Sequence, residues 1–367
     1  MSSLLFFFFG GIVLGILFPK SKVVTIYDAI IMWFIVGWQY NTADYYNYRQ
    51  IFINSSSNTS LTFFGQPLFY LMNVVVDKCF NEFQMMYVLC GLLAIVLIII
   101  GVFTYTKRVN LVLSMFMISC FLLYAVQIRN LVSMSIVLLA LQYLMPEKKS
   151  TIKYVALVII AAGFHVTAIF YLILLFIPYL NKYRLAILTT TICIGAAFSR
   201  NFFSKILKAL HMIDYTTSKN DMRTILIYNF FAIVILLITF YTCTYQKHNL
   251  NMYSELNENK RICTASLSNT TIQIVALMLV CIPLHFITIE SVRLCRNLFL
   301  FFFCTITRLR PESYRVNLQA VKLVEIIYAI VMISVLIFCF FYGDLYIYRQ
   351  CYEMVYTALF EYNLLFR

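Results

Sequence analysis

Charge is what this chain lacks most. Only 12% of its 367 residues are charged, against about 25% in an average soluble domain, and 62% are hydrophobic. A soluble helical protein of this size would need a polar exterior that these residues cannot supply. Also missing are a Gly-rich phosphate loop, an H-E-x-x-H motif and a dinucleotide fingerprint, so nothing points to a nucleotide or a zinc-peptidase site. The 11 cysteines contain no C-x-x-C pair. They sit mostly in apolar runs, as small buried hydrophobes do, rather than as a disulfide frame or metal site. The apolar N-terminus has no basic lead and no small-residue cleavage site, so it reads as a first span and not a signal peptide. No internal repeat of the transporter kind is visible.

What remains is a succession of long uncharged runs. Gln84–Thr104 is 21 residues without a charge, Val109–Ile128 is 20 and Thr224–Gln246 is 23. Each meets the length of about 20 residues that a helix needs to cross a bilayer core. Backbone amides in lipid must pair within their own segment, so the spans are expected to be helices. They fall near 3–18, 23–40, 84–104, 109–127, 130–146, 154–180, 185–199, 224–245, 269–289, 294–308 and 324–343. The fold class is therefore an all-α polytopic integral membrane protein with about 10–12 transmembrane helices, and 1–367 reads as a single transmembrane domain.

Residues 41–83 form the longest insert, expected as an external loop ending in an interfacial or re-entrant helix. Residues 200–223 are expected as a basic external loop, Glu255–Arg261 as part of a solvent loop, and 344–367 as an interfacial tail rich in tyrosine. The stretch Tyr154–Asn181 holds 28 residues without a formal charge, with His165 near its middle. As one helix it would be about 42 Å long, too long for one upright crossing and too short for two. Two half-helices meeting at Gly163-Phe164-His165 fit it, and a single tilted span is the competing reading. The distribution of lysine and arginine is the same under both, so the positive-inside rule does not choose.

The re-entrant reading leaves Arg49, Arg129, Arg200, Lys205, Lys208, Lys219, Arg223, Arg293 and Arg296 on the external side. Arg129 lies between two apolar runs, flanked by Gln127 and Asn130. Arg293 and Arg296 follow Glu290 at helical spacing. A charge at the edge of lipid is costly unless paired or solvated, which marks these residues as functional candidates; snorkelling to headgroups is the bland alternative. Guanidinium groups suit the oxygens of a diphosphate. His165 at a helix break suits proton transfer near neutral pH. Asp44 is the other candidate for that role, and Tyr40, Tyr45, Tyr46 and Tyr48 around it could stack on sugars.

Four segments together resemble one family. GWQYNTADYYNYRQIF resembles the outer loop after the second span in the EpsG-like, Wzy-like family of bacterial polysaccharide polymerases. QPLFYLMNVV is similar to that family's E-P-x-[FY]-x-L helix, with Gln66 in place of the usual Glu. QIRNLVSMSIVLLALQYL resembles its Q-x-R helix start and places Arg129 on the family arginine. AAGFHVTAIFYL resembles its F-H segment and places His165 on the family histidine. IESVRLCRNLFLF is a looser match. The resemblance covers residues 1–180 well and the rest loosely.

It implies polymerisation of oligosaccharide repeat units carried on undecaprenyl diphosphate, at the outer, periplasmic face of a bacterial inner membrane. His165 and Asp44 would be catalytic. Arg49, Gln66, Gln127, Arg129, Arg293, Arg296, Tyr45 and Tyr48 would bind substrate. No cofactor, metal or nucleic acid is implied. The partners would be the lipid-linked oligosaccharide and membrane lipid, with a chain-length regulator and a flippase as protein partners. Competing readings are a flippase or transporter of lipid-linked sugars, which should line several mid-membrane helices with charge, and an O-antigen ligase or membrane acyltransferase. The ligase should show a larger late external loop. The acyltransferase should carry a histidine in its first span, and none occurs before His165.

Overall fold

The computed structural model describes residues 3–57, 66–179, 222–249, 258–286, 290–308 and 352–365, with a few positions between 183 and 192. The described residues are mostly helical and contain no strand. Three of their helices, Phe83–Tyr105, Val109–Val126 and Ala265–His285, are long and apolar enough to cross a membrane. The chain is an all-α polytopic membrane protein. It divides into two compact units, one of Met1–Gln142, Ile152–Tyr171 and Met332–Arg367, the other of Tyr143–Thr151 and Leu172–Val331.

In the first unit the helices are α1 (Ser3–Leu17), α2 (Lys22–Gly37), α3 (Tyr45–Ser57), α4 (Pro67–Phe80), α5 (Phe83–Tyr105), α6 (Val109–Phe116), α7 (Leu122–Val126), α8 (Ile128–Leu141) and α9 (Thr151–Phe164). The Ser21 hydroxyl accepts from Val24 N at 3.4 Å and starts α2, satisfying one of the amides that a helix N-terminus leaves bare. Helix α5 packs between α2 and α8, and α1 packs on α2 and α6. A π-turn at Met117–Phe121 joins α6 to α7, so the expected span 109–127 is continuous but locally widened.

Away from water, polar backbone groups at helix ends must be met from within. At the far end of α2 amide side chains do this. Gln84 Nε2 donates to Gly37 O at 2.7 Å and to Gln39 O at 3.2 Å, and Gln39 Nε2 donates to Ala125 O at 2.6 Å. The C-terminal tail joins the same frame: Asn363 Nδ2 donates to Phe34 O at 3.0 Å and Leu364 N to Trp38 O at 2.9 Å. Leu359 and Phe360 are fully buried, and Phe360 meets Phe8 edge-on at 5.6 Å. The described part of the expected interfacial tail is thus packed into the helices, because its apolar face finds α2 and α7.

One expectation changes in the insert. Within 41–83 the polar stretch is a helix, α3, whose Tyr45, Tyr48, Phe52 and Ser55 are buried along one face. Spacings of three and four place them together, and tyrosine disguises the stripe as polar sequence. The second piece is the short helix expected, α4.

The reversal at His165 is present. Helix α9 ends at Phe164 and a 3₁₀ segment, Val166–Tyr179, follows. The Tyr154 hydroxyl donates to Tyr171 O at 2.5 Å, and both residues are fully buried. In one continuous helix 17 residues span about 25 Å, beyond the reach of a tyrosine side chain. The chain therefore folds back between them.

The second unit contains α10 (Met222–Asn249), α11 (Glu258–Cys281), α12 (Glu290–Arg296) and α13 (Phe299–Arg308). Helices α10 and α11 pair along their length, and α10 also packs on α12 and α13. Here α11 begins at Glu258, inside the expected solvent loop. It gives way to a 3₁₀ turn at Ile282–Phe286, where Pro283 removes an amide donor. The expected span 294–308 is interrupted by a turn at Asn297–Leu298. Cys90, Cys120, Cys243, Cys281, Cys295 and Cys304 are buried, as small apolar residues would be. Residues 200–221 of the expected loop, the span 324–343 and most of 185–199 lie outside the described residues.

The fold-back has a direct test. Lys149 and Tyr179 are exposed and flank the bend. Single cysteines at the two positions, in a background without other accessible thiols, should react with an impermeant thiol reagent from the same side of the membrane. Labelling from opposite sides would show one continuous crossing.

Candidate functional site

Arg129 is the second residue of α8. A cation is electrostatically misplaced at a helix N-terminus, where the dipole is positive, at a cost of roughly 0.3–1 kcal/mol. Its position therefore does not serve the stability of α8. The helix starts because Gln127 breaks from α7 with φ −99° and ψ 64°, and its carbonyl then accepts from Leu131 N at 3.0 Å.

The guanidinium is held by the two helices of the insert. Arg129 Nη1 donates to Gln66 Oε1 at 2.9 Å. The guanidinium carbon lies 4.8 Å from the centre of the Tyr48 ring on α3 and 5.6 Å from that of Phe69 on α4. Such cation–π contacts contribute about 0.5–2 kcal/mol, most where water is excluded. Arg129 Nε is buried and has no hydrogen-bond partner among the described residues. Gln66 itself sits in the left-handed region, φ 52°, immediately before Pro67 opens α4. A non-glycine residue there costs on the order of 1 kcal/mol, which the α4 start imposes and the contact to Arg129 helps offset.

Asp44 joins the group through Tyr48, whose hydroxyl donates to Asp44 Oδ2 at 3.2 Å. Tyr48 and Tyr45 are buried, so neither presents an open ring to a sugar. Tyr45 stacks on Tyr87 with ring centres 5.7 Å apart and donates to Gln84 Oε1 at 3.4 Å. Burial pushes the Tyr45 phenol up, with Tyr40 adding to the rise and Arg49 opposing it; it stays neutral at ordinary pH. Arg49 is exposed on the other face of α3 and Tyr46 is exposed beside it.

His165 is 8% exposed and occupies the bend itself, its amide donating to Ala161 O and its carbonyl accepting from Ala168 N. The end of α9 is seated on α4. A Cβ on Gly163 would lie 2.7 Å from Leu68 Cδ1 and Cγ, and Leu68 stands between Pro67 and Phe69. The structure thus brings the His165 bend against the helix that holds Arg129. Arg293 and Arg296 lie on α12 of the second unit, Arg293 half-buried and Arg296 buried.

Sequence reasoning missed Phe69, which it read only as part of an apolar helix, and a pair in the second unit. There His285 Nδ1 lies 2.5 Å from Asn229 Oδ1, both side chains buried. The available signal was a second histidine within an apolar run, two residues after Pro283.

The close approach of α9 and α4 makes a prediction. Gly163→Ala should lower the unfolding temperature of the detergent-solubilised protein, because overpacking costs about 1–3 kcal/mol. Adding Leu68→Ala should recover much of that loss. An unchanged unfolding temperature in Gly163→Ala would contradict the seating of the bend on α4.

Arg129, Gln66 and His165 lie on the segments whose sequence resembles the polysaccharide polymerases, and comparison with known proteins bears on that likeness directly. No curated protein and no solved structure matches the chain. A family model does, over residues 22–364, and its description is the EpsG family. That match takes in both units and nearly the whole chain: the protein belongs to the EpsG family, whose members have functions of the polysaccharide-polymerase type.

Proposed function

We propose that this protein polymerises oligosaccharide repeat units carried on undecaprenyl diphosphate, at the outer face of the bacterial inner membrane. The observation that carries the reading is the Arg129 site: a guanidinium held by Gln66 Oε1 and two aromatic rings, with a buried Nε that has no acceptor among the described residues. An unmet buried donor costs roughly 1–3 kcal/mol, and a phosphate oxygen is the acceptor that a guanidinium meets best.

In the reaction a sugar hydroxyl of one repeat unit attacks the anomeric carbon of a glycan on its lipid carrier. The new C–O bond forms as the bond from that carbon to the diphosphate oxygen breaks. The lipid diphosphate leaves with the electron pair, and Arg129 offsets the charge that develops on it. His165 takes the hydroxyl proton, a role suited to an imidazole near neutral pH. The chemistry draws on the activated donor alone, so the lipid-linked glycan is the one energy source required.

Arg129→Ala and His165→Ala should each abolish long polysaccharide in a strain lacking the native gene, while single repeat units still accumulate. Gel analysis of polysaccharide length, with membrane levels of each variant measured, reads this out. Arg129→Lys keeps the charge and loses the planar fork, so most activity should be lost. Full chain length in Arg129→Ala would remove the site from the reaction.

A further inference from the structure

We infer that Gln39 is a positioning residue: its side-chain amide takes the place of the Arg129 backbone amide at Ala125 O, and so keeps the chain broken at Gln127, where α8 begins and Arg129 is presented. The role rests on the reading of Arg129 as the group that meets the diphosphate. It adds what sets the point from which the Arg129 side chain leaves the backbone.

In an α-helix each carbonyl accepts from the amide four residues on, so in one continuous α7–α8 helix Ala125 O would accept from Arg129 N. That bond needs helical dihedrals at Val126, Gln127 and Ile128. Gln127 has φ −99° and ψ 64°, and this ψ is roughly 100° from the helical value. The ladder is therefore interrupted, and Ala125 O loses its usual donor. Ala125 is fully buried, where an unmet carbonyl is costly. Gln39 supplies the donor from the end of α2: its Nε2 donates to Ala125 O at 2.6 Å and to Val36 O at 3.0 Å.

Gln39 is itself held in place. It is fully buried, and both protons of Nε2 go to carbonyls, so its side-chain amide has one orientation that fits. Turned over, its oxygen would face both carbonyls. Its own backbone carbonyl accepts from Gln84 Nε2 at 3.2 Å, which ties it to the start of α5. Beyond the break, Gln127 O accepts from Leu131 N at 3.0 Å and opens α8. Arg129 then stands where Gln66, Tyr48 and Phe69 meet its guanidinium. Without the Gln39 donor, the backbone meets Ala125 O by closing the ladder with Arg129 N. That turns Gln127 into the helix and shifts the start of α8, with the Arg129 side chain, out of register with α3 and α4.

Gln39→Met removes the donor at similar length. Ile128→Pro enforces the break by another route, since proline suits the first position of a helix and keeps the residue before it out of the helical region. Full-length variants are compared in liposomes with lipid-linked repeat unit, and by amide hydrogen exchange at Arg129 in detergent. Gln39→Met should lower turnover at saturation about tenfold, the scale of one buried hydrogen bond. It should also slow exchange at Arg129, whose amide now meets Ala125 O. Ile128→Pro alone should stay near wild type, and adding it to Gln39→Met should recover most of the turnover. A merely structural role would lower the amount of folded protein, leave exchange at Arg129 unslowed and go unrepaired by Ile128→Pro. That result overturns the inference, as does wild-type turnover in Gln39→Met. Should Gln39→Met fail to accumulate in membranes, the double variant decides: recovered level and turnover support the role, and failure overturns it. If Ile128→Pro is itself inactive, exchange at Arg129 in Gln39→Met decides. Arg129→Ala in the same assay separates the two layers. Wild-type turnover there would refute the diphosphate site itself, whereas loss there with normal Gln39→Met refutes only the positioning.

Discussion

A half-buried arginine in an apolar helical unit needs partners for its charge and its donors, and in the first unit the insert between α2 and α5 supplies those that Arg129 has. The residue opens α8, where the helix dipole opposes it. Its compensation comes from elsewhere in the chain: an amide oxygen and two aromatic rings supplied by the insert between α2 and α5. The insert is therefore not a passive loop. Its two helices pack on each other, and α3 turns Tyr48 inward while α4 delivers Gln66 and Phe69 from a single turn.

The same economy governs the rest of the unit. Ends of α2 and α7 that would leave bare carbonyls are closed by Gln39, Gln84 and Asn363, because lipid offers no alternative acceptor or donor. The fold-back at His165 creates the opposite situation, a bend that frees backbone groups. It is tolerated because the bend is buried against protein, with Gly163 admitting Leu68 at a distance no side chain would allow. Irregular backbone at membrane depth survives where protein covers it, and such places are where chemistry can be sited.

Much of this was legible in the residues. Long uncharged runs announced α5, α6 and α10, and a 28-residue stretch that fits neither one crossing nor two announced the reversal at His165. Arg129 and Gln66 were both recognisable, but as separate residues 63 positions apart; their pairing is a tertiary contact that no local pattern encodes. The face of α3 was hidden because tyrosine counts as polar while packing as an aromatic. Tyr45 and Tyr48 were read as able to stack on sugars, yet Tyr48 lies against the Arg129 guanidinium and Tyr45 stacks on Tyr87. The kinks in the second unit, at Pro283 and Asn297, were short interruptions in apolar sequence, below what hydropathy resolves.

The central claim is that this chain alone joins lipid-linked glycans and releases the lipid carrier. Purified protein in liposomes, supplied only with lipid-linked repeat unit, decides it by stoichiometry. Each added repeat should appear together with one molecule of undecaprenyl diphosphate, without nucleotide or added metal. Lipid-linked units that stay single, or that merely exchange between leaflets with no diphosphate released, would contradict the account and identify a transporter.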